Sequence, residues 1–372
     1  MTTEHEKPEA KSHGTTRRGF LRSAASIGAI AATGPTAYAQ VADTPSDTVA
    51  DQVNPATDVI TREIAATGQR IPALGLGTFL TFDTVPGQPR EPLREVMTRF
   101  VEGSGTVIDT SPLYGSAETT IGTIMAGLPQ ADEVFVANKI WSTGEYLGDT
   151  SHATASLEQS KLRIWRSSMD LMQCHSITNA GVVIPLMQAW KQEGEIGLVG
   201  VTHHETAYQP ELTQFIERGA VDIVQTNYSI FNRSAEERLL PAAADNGVSI
   251  LVNLPLEKAR LTHIVRGQPL PDFATEFRAE TWSQFFLKWV MGHPAVTCVL
   301  CGTSNPDHMT ENLGAMRGPL PDAEMRRRMV SYMDGLPGFA TLGNMAWYPE
   351  KDSQYQGQIR LAQAQARDRL AN

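Results

Sequence analysis

The fold class is decided by a stretch that begins with Met169-Asp-Leu-Met-Gln-Cys-His175, continues with an amphipathic segment at residues 184–191 and ends with Ile196-Gly-Leu-Val-Gly-Val-Thr202. The first and last runs are almost continuously apolar, a pattern that is typical of strands buried on both faces. Parallel strands need a long crossover between them, and that crossover is usually a helix. The stretch therefore predicts a strand, a helix and a second, parallel strand.

The same alternation extends through most of the chain. The predicted strands lie at residues 74–79, 107–110, 134–140, 169–175, 196–202, 223–228, 248–254 and 297–302. Helices are predicted between them at 91–103, 117–126, 152–164, 184–191, 210–217, 235–245 and 282–291, and extra C-terminal helices at 309–317 and 322–333. Eight such units predict an α/β protein with a closed parallel (β/α)8 TIM barrel. A doubly wound open sheet is the second choice, because no Gly-x-Gly-x-x-Gly turn is present.

Segments at both ends lie outside this alternation. Residues 63–345 are expected to form the barrel domain, and an N-terminal β-hairpin around Thr67-Gly68 is expected to plug its N-terminal mouth. Residues 40–62 are rich in Asp, Thr, Pro and Ala without periodicity, which predicts a flexible linker. Residues 346–372 are interpreted as a polar C-terminal tail.

The first 39 residues have the order of an export signal. A twin-arginine motif, Thr16-Arg17-Arg18-Gly-Phe-Leu-Arg22, precedes a mildly apolar stretch, and Ala37-Tyr-Ala39 provides a small-x-small cleavage site. This order predicts a signal peptide at residues 1–39, the twin-arginine export machinery as a partner and a periplasmic location. The alternative is a disordered tail that contains two arginines by chance.

Composition narrows the function classes. Of 372 residues 41% are hydrophobic, and 31 basic against 41 acidic side chains give a formal net charge of −10. The apolar fraction suffices for a sizeable core, and the acidic balance argues against a nucleic-acid partner. No uncharged apolar run reaches about 18 residues, so no membrane span is expected in the mature chain.

Ionisable side chains gather at the carboxyl ends of three consecutive predicted strands. Asp109 ends the second strand, Lys139 lies near the end of the third and His175 ends the fourth, while Tyr114 follows Asp109 by five residues. Taken singly, each has an ordinary structural explanation, such as a helix cap, a solvated amine or a buried histidine. Together they lie at the end of the barrel where catalytic groups are found.

This set of groups suits the reduction of a carbonyl. A tyrosine phenol has an unperturbed pKa of about 10, and a neighbouring ammonium group lowers that pKa. Lys139 is expected to act in this way on Tyr114, with Asp109 holding the amine in place. His175 can orient the carbonyl oxygen by a hydrogen bond. The hydride must then come from a cofactor.

Several motifs resemble those of the aldo-keto reductase family, from residue 62 to residue 333. They are Arg70-Ile-Pro-Ala-Leu-Gly-Leu-Gly-Thr-Phe79, Asp109-Thr-Ser-Pro-Leu-Tyr114-Gly115-Ser116-Ala-Glu118, Met169-Asp-Leu171 with His175, Gly194-Glu-Ile-Gly-Leu-Val-Gly-Val-Thr202 and Gly302-Thr-Ser-Asn-Pro-Asp-His-Met-Thr-Glu-Asn-Leu313. The resemblance implies a nicotinamide-dependent oxidoreductase that reduces a small aldehyde or ketone, or oxidises the alcohol. By it, Tyr114 is the general acid/base and His175 orients the carbonyl. Lys139 and Asp109 tune the tyrosine.

The same resemblance implies a site for NADP, with NAD as the open alternative. The resemblance implies Thr78 and Phe79 near the nicotinamide and Thr202 with Gln225 at its carboxamide. Gly302, Thr303, Ser304, His308, Glu311 and Asn312 are implied around the adenosine and its phosphates, and His203 and Leu256 are further matching positions. Some of the family's usual residues are replaced. Thr202-His203 stands in place of Ser-Asn, Asn253 in place of an aromatic residue that stacks on the nicotinamide, and His308 in place of an arginine for the 2′-phosphate. A neutral histidine is a weaker phosphate ligand than arginine.

Other residues suggest further roles beside the predicted catalytic groups. Trp141 is expected to wall the substrate pocket. His203-His204 has no third ligand at hand, so no metal site is expected. Basic residues at 257–275 either clamp an anion or form a solvated loop. The replacements leave open a second function, a nucleotide-binding barrel that acts as a redox sensor or binding subunit. A hydrolase is a distant third, because no nucleophile elbow is present.

Overall fold

A computed structural model describes residues 52–54, 58–84 and 87–349 of the protein. The predicted signal peptide, the larger part of the predicted linker and residues 350–372 of the predicted tail lie outside the described residues. The strands are β1 (Gln52–Asn54), β2 (Val59–Glu63), β3 (Arg70–Pro72), β4 (Leu74–Gly77), β5 (Val107–Asp109), β6 (Phe135–Ile140), β7 (Met169–His175), β8 (Ile196–His203), β9 (Ile223–Asn227), β10 (Ser249–Asn253) and β11 (Cys298–Cys301). The helices are α1 (Glu91–Glu102), α2 (Ala117–Met125), α3 (Ser151–Ile164), α4 (Ala180–Glu193), α5 (Gln209–Glu217), α6 (Leu239–Asn246), α7 (Arg260–Ile264), α8 (Trp282–Met291), α9 (Pro306–Gly314) and α10 (Ala323–Asp334).

The strands from β4 to β11 close into a parallel barrel. They follow one another around it in chain order, and β11 pairs with β4 to complete the circle. Helices alternate with these strands, so the predicted (β/α)8 TIM barrel is confirmed and the open sheet is excluded. Each predicted strand overlaps one barrel strand, because long apolar runs bounded by polar turns are a strong signal.

Three helices differ from their predicted bounds by three residues or more, and one of them is α9, which covers Pro306–Gly314 instead of 309–317. Helix α4 begins at Ala180, ahead of the predicted start at residue 184, and contains Pro185. Helix α6 begins at Leu239, later than the predicted start at 235, and Pro241 lies in its first turn. Proline lacks the N–H that an interior position must donate, so it is best tolerated in a first turn. The stretch before α6 forms a short 3-10 turn instead.

The side chains that point into the barrel form their own apolar cluster. Its strand members are Val107, Phe135, Ala137, Leu171, Leu198, Ile223, Leu251, Cys298 and Leu300. The opposite faces of the strands pack against the helices in a second, larger cluster. Because successive residues of a strand point to opposite faces, a residue two positions beyond a cluster member also faces the interior.

An antiparallel sheet of β1, β2 and β3 precedes the barrel. Ile64 and Ile71, on either side of the turn between β2 and β3, belong to the inner apolar cluster with Val107 and Phe135, which begin their strands. The expected hairpin therefore closes the N-terminal mouth. Strand β2 (Val59–Glu63), in which Val59 and Ile60 are buried, crosses the predicted boundary between linker and barrel at residue 62. Alternation of buried and exposed residues in so short a strand is a weak sequence signal.

No helix in the described part of the chain is long and apolar enough to cross a membrane.

Candidate active site

Polar side chains occupy the barrel interior just beyond the inner apolar cluster. Asp109 in β5, Lys139 in β6 and Gln225 in β9 each lie two residues beyond a cluster member, so they face inward. All three are buried. A buried polar group destabilises the fold unless it is hydrogen-bonded, so these residues must bond one another or a ligand.

Asp109 and Lys139 form a buried ion pair. The Nζ atom of Lys139 lies 2.8 Å from each carboxylate oxygen of Asp109 and donates to the carbonyl oxygen of Thr110 at 2.7 Å. The three hydrogens of the ammonium group thus have acceptors. Burial lowers the pKa of Lys139, and the neighbouring carboxylate opposes that effect. The pair is the charged centre of the site.

Tyr114 lies against this ion pair. The Nζ atom of Lys139 is 4.8 Å from the centroid of the Tyr114 ring, and the ring of Phe79 meets it edge-on at 5.1 Å. Burial, and then the charge of Asp109, raise the pKa of Tyr114 well above its usual 10.0. The lowering of this pKa that was expected from Lys139 is therefore not seen, because burial of the phenol and then the charge of Asp109 act in the opposite direction. The phenol is protonated at neutral pH.

His175 stands beside the tyrosine at the end of β7. The two rings are 5.9 Å apart and nearly perpendicular. The Oγ atom of Ser111 lies 3.1 Å from Nδ1 of His175 and accepts from the backbone N–H of Leu113. Burial, with the charge of Lys139, lowers the pKa of His175 to about 3. The ring is therefore neutral at neutral pH, and its hydrogen lies on Nε2 when the Ser111 hydroxyl donates to Nδ1.

Gln225 connects the ion pair with the neighbouring strands. Its Nε2 donates to Oδ1 of Asp109 at 2.7 Å, and its Oε1 accepts from Oγ1 of Thr202 at 2.9 Å and from Nδ2 of Asn253 at 3.5 Å. Thr202 and Gln225, the two residues expected at the nicotinamide carboxamide, are thus brought together and bonded to each other. Among the described residues, one amide hydrogen of Gln225 and the lone pairs of the Thr202 hydroxyl have no further partner, so they can bond a ligand.

The turn between β11 and α9 presents backbone groups at the same end of the barrel. A Cβ atom on Gly302 would lie 2.9 Å from the carbonyl oxygen of Gly77, so the close approach of the two strands favours glycine. Asn305 caps α9 by accepting from the N–H of Asp307 at 2.9 Å, and Oγ1 of Thr303 accepts from the N–H of Asn305 at 3.0 Å. The N-terminus of such a helix attracts anions.

The other predicted cofactor residues differ in burial and in their contacts. Thr78 is buried and donates to the carbonyl oxygen of Asp109 at 2.9 Å. His203 stacks on Tyr208 with ring centroids 3.8 Å apart. Ser304 and His308 are exposed, and Leu256 and Glu311 are partly buried.

Asn312 and Trp141 differ in their exposure to solvent. Asn312 is buried and donates to Sγ of Cys301 at 3.1 Å, so its amide is used inside the protein. Trp141 is 37% exposed, two residues beyond Lys139, where a pocket wall is expected. Among the described residues, no group of three or more His, Cys, Asp or Glu side chains is arranged to hold a metal ion.

The residues of this end fit a nicotinamide nucleotide. Enclosed oxygens without a hydrogen-bond partner in the described part of the chain are Thr110 Oγ1, Ser142 Oγ, Gln173 Oε1, Asn227 Oδ1 and Asn253 Oδ1. Since buried polar atoms are normally paired, this group of oxygens suits a polar guest such as a carboxamide and a ribose. The turn before α9 supplies N–H groups for phosphates.

Sequence reasoning missed several neighbours of the site. Ser111, which contacts His175, lies within the motif that contains Tyr114. Gln173 lies two residues before His175 in β7, and alternate residues of a strand share a face, so Gln173 points to the same inner side. Lys258 was noted only as part of a basic stretch. Its Nζ atom lies 2.9 Å from the centroid of the Trp347 ring and 5.6 Å from that of Phe79. No local pattern predicts this contact between distant segments.

A closed barrel with a tyrosine, a lysine–aspartate pair and a neutral histidine at its carboxyl end is the architecture of a nicotinamide-dependent oxidoreductase. The chain matches the model of the aldo/keto reductase family over residues 73–329, and it belongs to that family.

Individual relatives are similar at moderate identity. The NADH-specific methylglyoxal reductase of Escherichia coli (strain K12) is 24% identical over 282 residues, which cover 61% of this chain and 84% of that protein. An aldo/keto reductase from Klebsiella pneumoniae, crystallised with NADP and acetate, has a TM-score of 0.61 at 22% identity and covers 73% of this chain and 94% of its own. The glycerol dehydrogenase of Gluconobacter oxydans has a TM-score of 0.61 at 19% identity, covering 74% and 96%.

Proposed function

We propose that this protein uses NADP to reduce a small aldehyde or ketone, or to oxidise the corresponding alcohol, with Tyr114 as the general acid/base. The observation that carries the proposal is the position of Lys139. Its Nζ atom is bound by both oxygens of Asp109 at 2.8 Å and lies 4.8 Å from the centroid of the Tyr114 ring. An arrangement of this kind holds one ionisable phenol at the mouth of the barrel.

Tyr114 supplies the proton of the reduction. NADPH bound at this end of the barrel would supply a hydride for the carbonyl carbon, so that with the proton of Tyr114 the substrate would become an alcohol. The raised pKa keeps the phenol protonated before the reaction, and its O–H gives the proton to the carbonyl oxygen. The phenolate that remains is stabilised by the ammonium group of Lys139 and recovers a proton from solvent. In the oxidation direction the same atoms exchange roles.

His175 orients the substrate. With the Ser111 hydroxyl donating to Nδ1, the Nε2–H of His175 donates to the carbonyl oxygen. Because the ring is neutral, it holds the oxygen without competing with Tyr114 as a proton donor. The exposed rings of Phe79 and Trp141 provide apolar walls for the rest of a small substrate.

The choice of NADP rests on the family and on the nucleotide named for the Klebsiella structure. The name of the Escherichia coli relative, which specifies NADH, keeps NAD as the alternative. His308 is exposed in the first turn of α9, where the resemblance places the 2′-phosphate ligand. Titrating the purified protein with each reduced nucleotide, and following nicotinamide fluorescence, measures the preference directly.

We also propose that the protein is exported to the periplasm by the twin-arginine route. The support is that residues 1–39 contain a twin-arginine motif, an apolar stretch and a small-x-small cleavage site in the sequence order of an export signal. This route carries folded proteins, and the periplasm is not expected to supply nicotinamide nucleotides freely. A cofactor loaded before export and retained would meet this difficulty. Cell fractionation of the wild type and of an Arg17→Lys/Arg18→Lys variant tests the export, and nucleotide released on denaturing the periplasmic protein tests the retention.

The central experiment compares Tyr114→Phe with Tyr332→Phe. Tyr332 lies on α10, where it packs against Phe273 and Trp282 away from the site. We expect Tyr114→Phe to lose reduction of a panel of aldehydes and ketones by at least about a hundredfold while it still binds nucleotide, and Tyr332→Phe to keep activity. Undiminished activity in Tyr114→Phe rejects the proposal. Nucleotide binding without turnover in the wild type would favour the sensor instead.

A further inference from the structure

Gln225 makes a contact that its expected role does not require. The resemblance assigns it to the cofactor carboxamide, yet its Nε2 donates to Oδ1 of Asp109 at 2.7 Å. Both residues are buried. A hydrogen bond from a neutral amide to a carboxylate stabilises the charge, and more so where water is excluded.

The two oxygens of Asp109 are not equivalent. Oδ2 accepts from Lys139 at 2.8 Å. Oδ1 accepts from Lys139 at 2.8 Å, from Gln225 at 2.7 Å and from Nε2 of Gln173 at 3.4 Å. Gln225 therefore makes the shortest bond to this carboxylate, on one side of it, and limits its rotation. Gln173 reaches the same oxygen from β7 with a weaker bond.

Gln225 is itself held in one orientation. Because Asp109 can only accept, the amide nitrogen of Gln225 must face it, and the amide oxygen then faces Thr202 and Asn253. A chain of hydrogen bonds thus runs from the strand ends expected to hold the carboxamide, through Gln225 and Asp109, to Lys139.

We propose that Gln225 is a positioning residue that holds Asp109 and thereby fixes the Asp109–Lys139 pair against Tyr114, so that the cofactor seat and the proton donor share one side chain. This inference rests on the proposed role of Tyr114 as the acid. The titratable groups that act on the pair are Tyr114 and Cys298, which feel the charge of Asp109, and His175, which feels that of Lys139.

The proposal predicts a change in the acidity of Tyr114 that needs no cofactor. The N–H of Gln225 partly neutralises Asp109, and the charge of Asp109 raises the pKa of Tyr114. Without this N–H the phenol meets more negative charge, so its pKa rises further. The matched control is Gln173, which is also a buried glutamine facing Oδ1 of Asp109 but lies 3.4 Å from it.

The experiment places 3,5-difluorotyrosine at position 114 and follows its ionisation by fluorine NMR in the full-length, nucleotide-free protein. The fluorinated phenol is more acidic, which brings the titration into a range where the protein is folded. We expect Gln225→Met to raise the midpoint by about half a pH unit and Gln173→Met to raise it less. Gln225→Asn, which keeps the amide but shortens its reach, should behave like Gln225→Met and provides a second variant if one fails to fold.

The outcomes separate positioning from cofactor binding. A raised midpoint in both Gln225 variants supports the proposal. An unchanged midpoint together with weaker NADPH binding overturns it, because Gln225 would then serve the carboxamide alone. A midpoint raised as much by Gln173→Met also overturns it, because the effect would not follow the shorter bond. Since the titration requires no turnover, it stands apart from the Tyr114→Phe assay that tests the function.

Discussion

The barrel interior has a lower half, at the N-terminal ends of the strands, and an upper half, at their carboxyl ends. The same strands build both halves, but the lower half is apolar and the upper half is polar. Leu171 and Ile223 face the axis near the beginnings of β7 and β9 and lie in the inner apolar cluster. Two residues further along the same strands, Gln173 and Gln225 face the axis and hydrogen-bond Asp109. Position on a strand, rather than the strand itself, thus separates the packed core from the candidate site.

The two halves also differ in how they affect stability. Burying an apolar side chain contributes about 1.5–3 kcal/mol. A buried ion pair such as Asp109–Lys139 contributes little net stability, since removing water from both charges offsets their attraction. The lower half therefore stabilises the barrel. This stabilisation offsets the free-energy cost of burying the charges of the upper half. Changes in each half should separate stability from activity.

The largest effect is expected for Lys139→Met in the upper half. It leaves the Asp109 carboxylate buried without a countercharge, which costs about 3–5 kcal/mol of the free energy of unfolding. Carbonyl reduction should fall by at least about a hundredfold. Urea denaturation and initial rates measure the two effects. An Asp109→Asn/Lys139→Met double variant should recover much of the stability but none of the activity. Recovered activity would show that the pair has no chemical role.

Leu171→Ala in the lower half should cost about 3 kcal/mol through lost burial and the cavity that remains. The Leu171 side chain is apolar and makes no hydrogen bond to the Asp109–Lys139 pair. The value of kcat/KM per folded molecule and its pH profile should therefore stay close to those of the wild type. Denaturation with rate measurements at several pH values checks this. A changed pH profile would show that the two halves are not separable.

The sequence predicts the barrel better than it predicts the site. Continuous apolar runs such as residues 169–175 specify buried strands, and the carboxyl ends of those strands bring Asp109, Lys139 and His175 to one end. The sign of the pKa change of Tyr114 was not predictable. It depends first on the burial of the phenol and then on its distance from the Asp109 charge, and both are set by the closed barrel. Contacts between distant segments, such as Gln225 with Asp109, likewise need the closed barrel.

His308→Arg tests whether nucleotide choice is set outside the barrel interior. Arg can form two charge-assisted hydrogen bonds with a phosphate, whereas a neutral His offers at most one. We expect NADPH to bind about tenfold more tightly and NADH to bind as before. Fluorescence titration gives both dissociation constants. Equal gains for both nucleotides would mean that position 308 does not face the 2′-phosphate.

The smallest effect compares a histidine of the upper interior with one outside the barrel. Burial lowers the pKa of His175 to about 3 and that of His293, on the turn after α8, to about 4. Both values lie below the ordinary 6.5, so between about pH 4 and 6.5 the unfolded chain binds more protons than the folded protein. The free energy of unfolding should therefore rise with pH through this window and level off above it.

His175→Gln and His293→Gln should each reduce the rise of the free energy of unfolding with pH. The reason is that this pH dependence comes from the burial of each histidine and not from the chemistry of the site. Only His175→Gln should reduce carbonyl reduction, since His293 contacts the ring of Tyr228 and lies outside the site. Urea denaturation at pH 5 and at pH 7.5, with rates at pH 7.5, measures both quantities. A slope that changes in His175→Gln alone would mean that the acid sensitivity belongs to the upper interior, and that this half, not burial in general, limits stability at low pH.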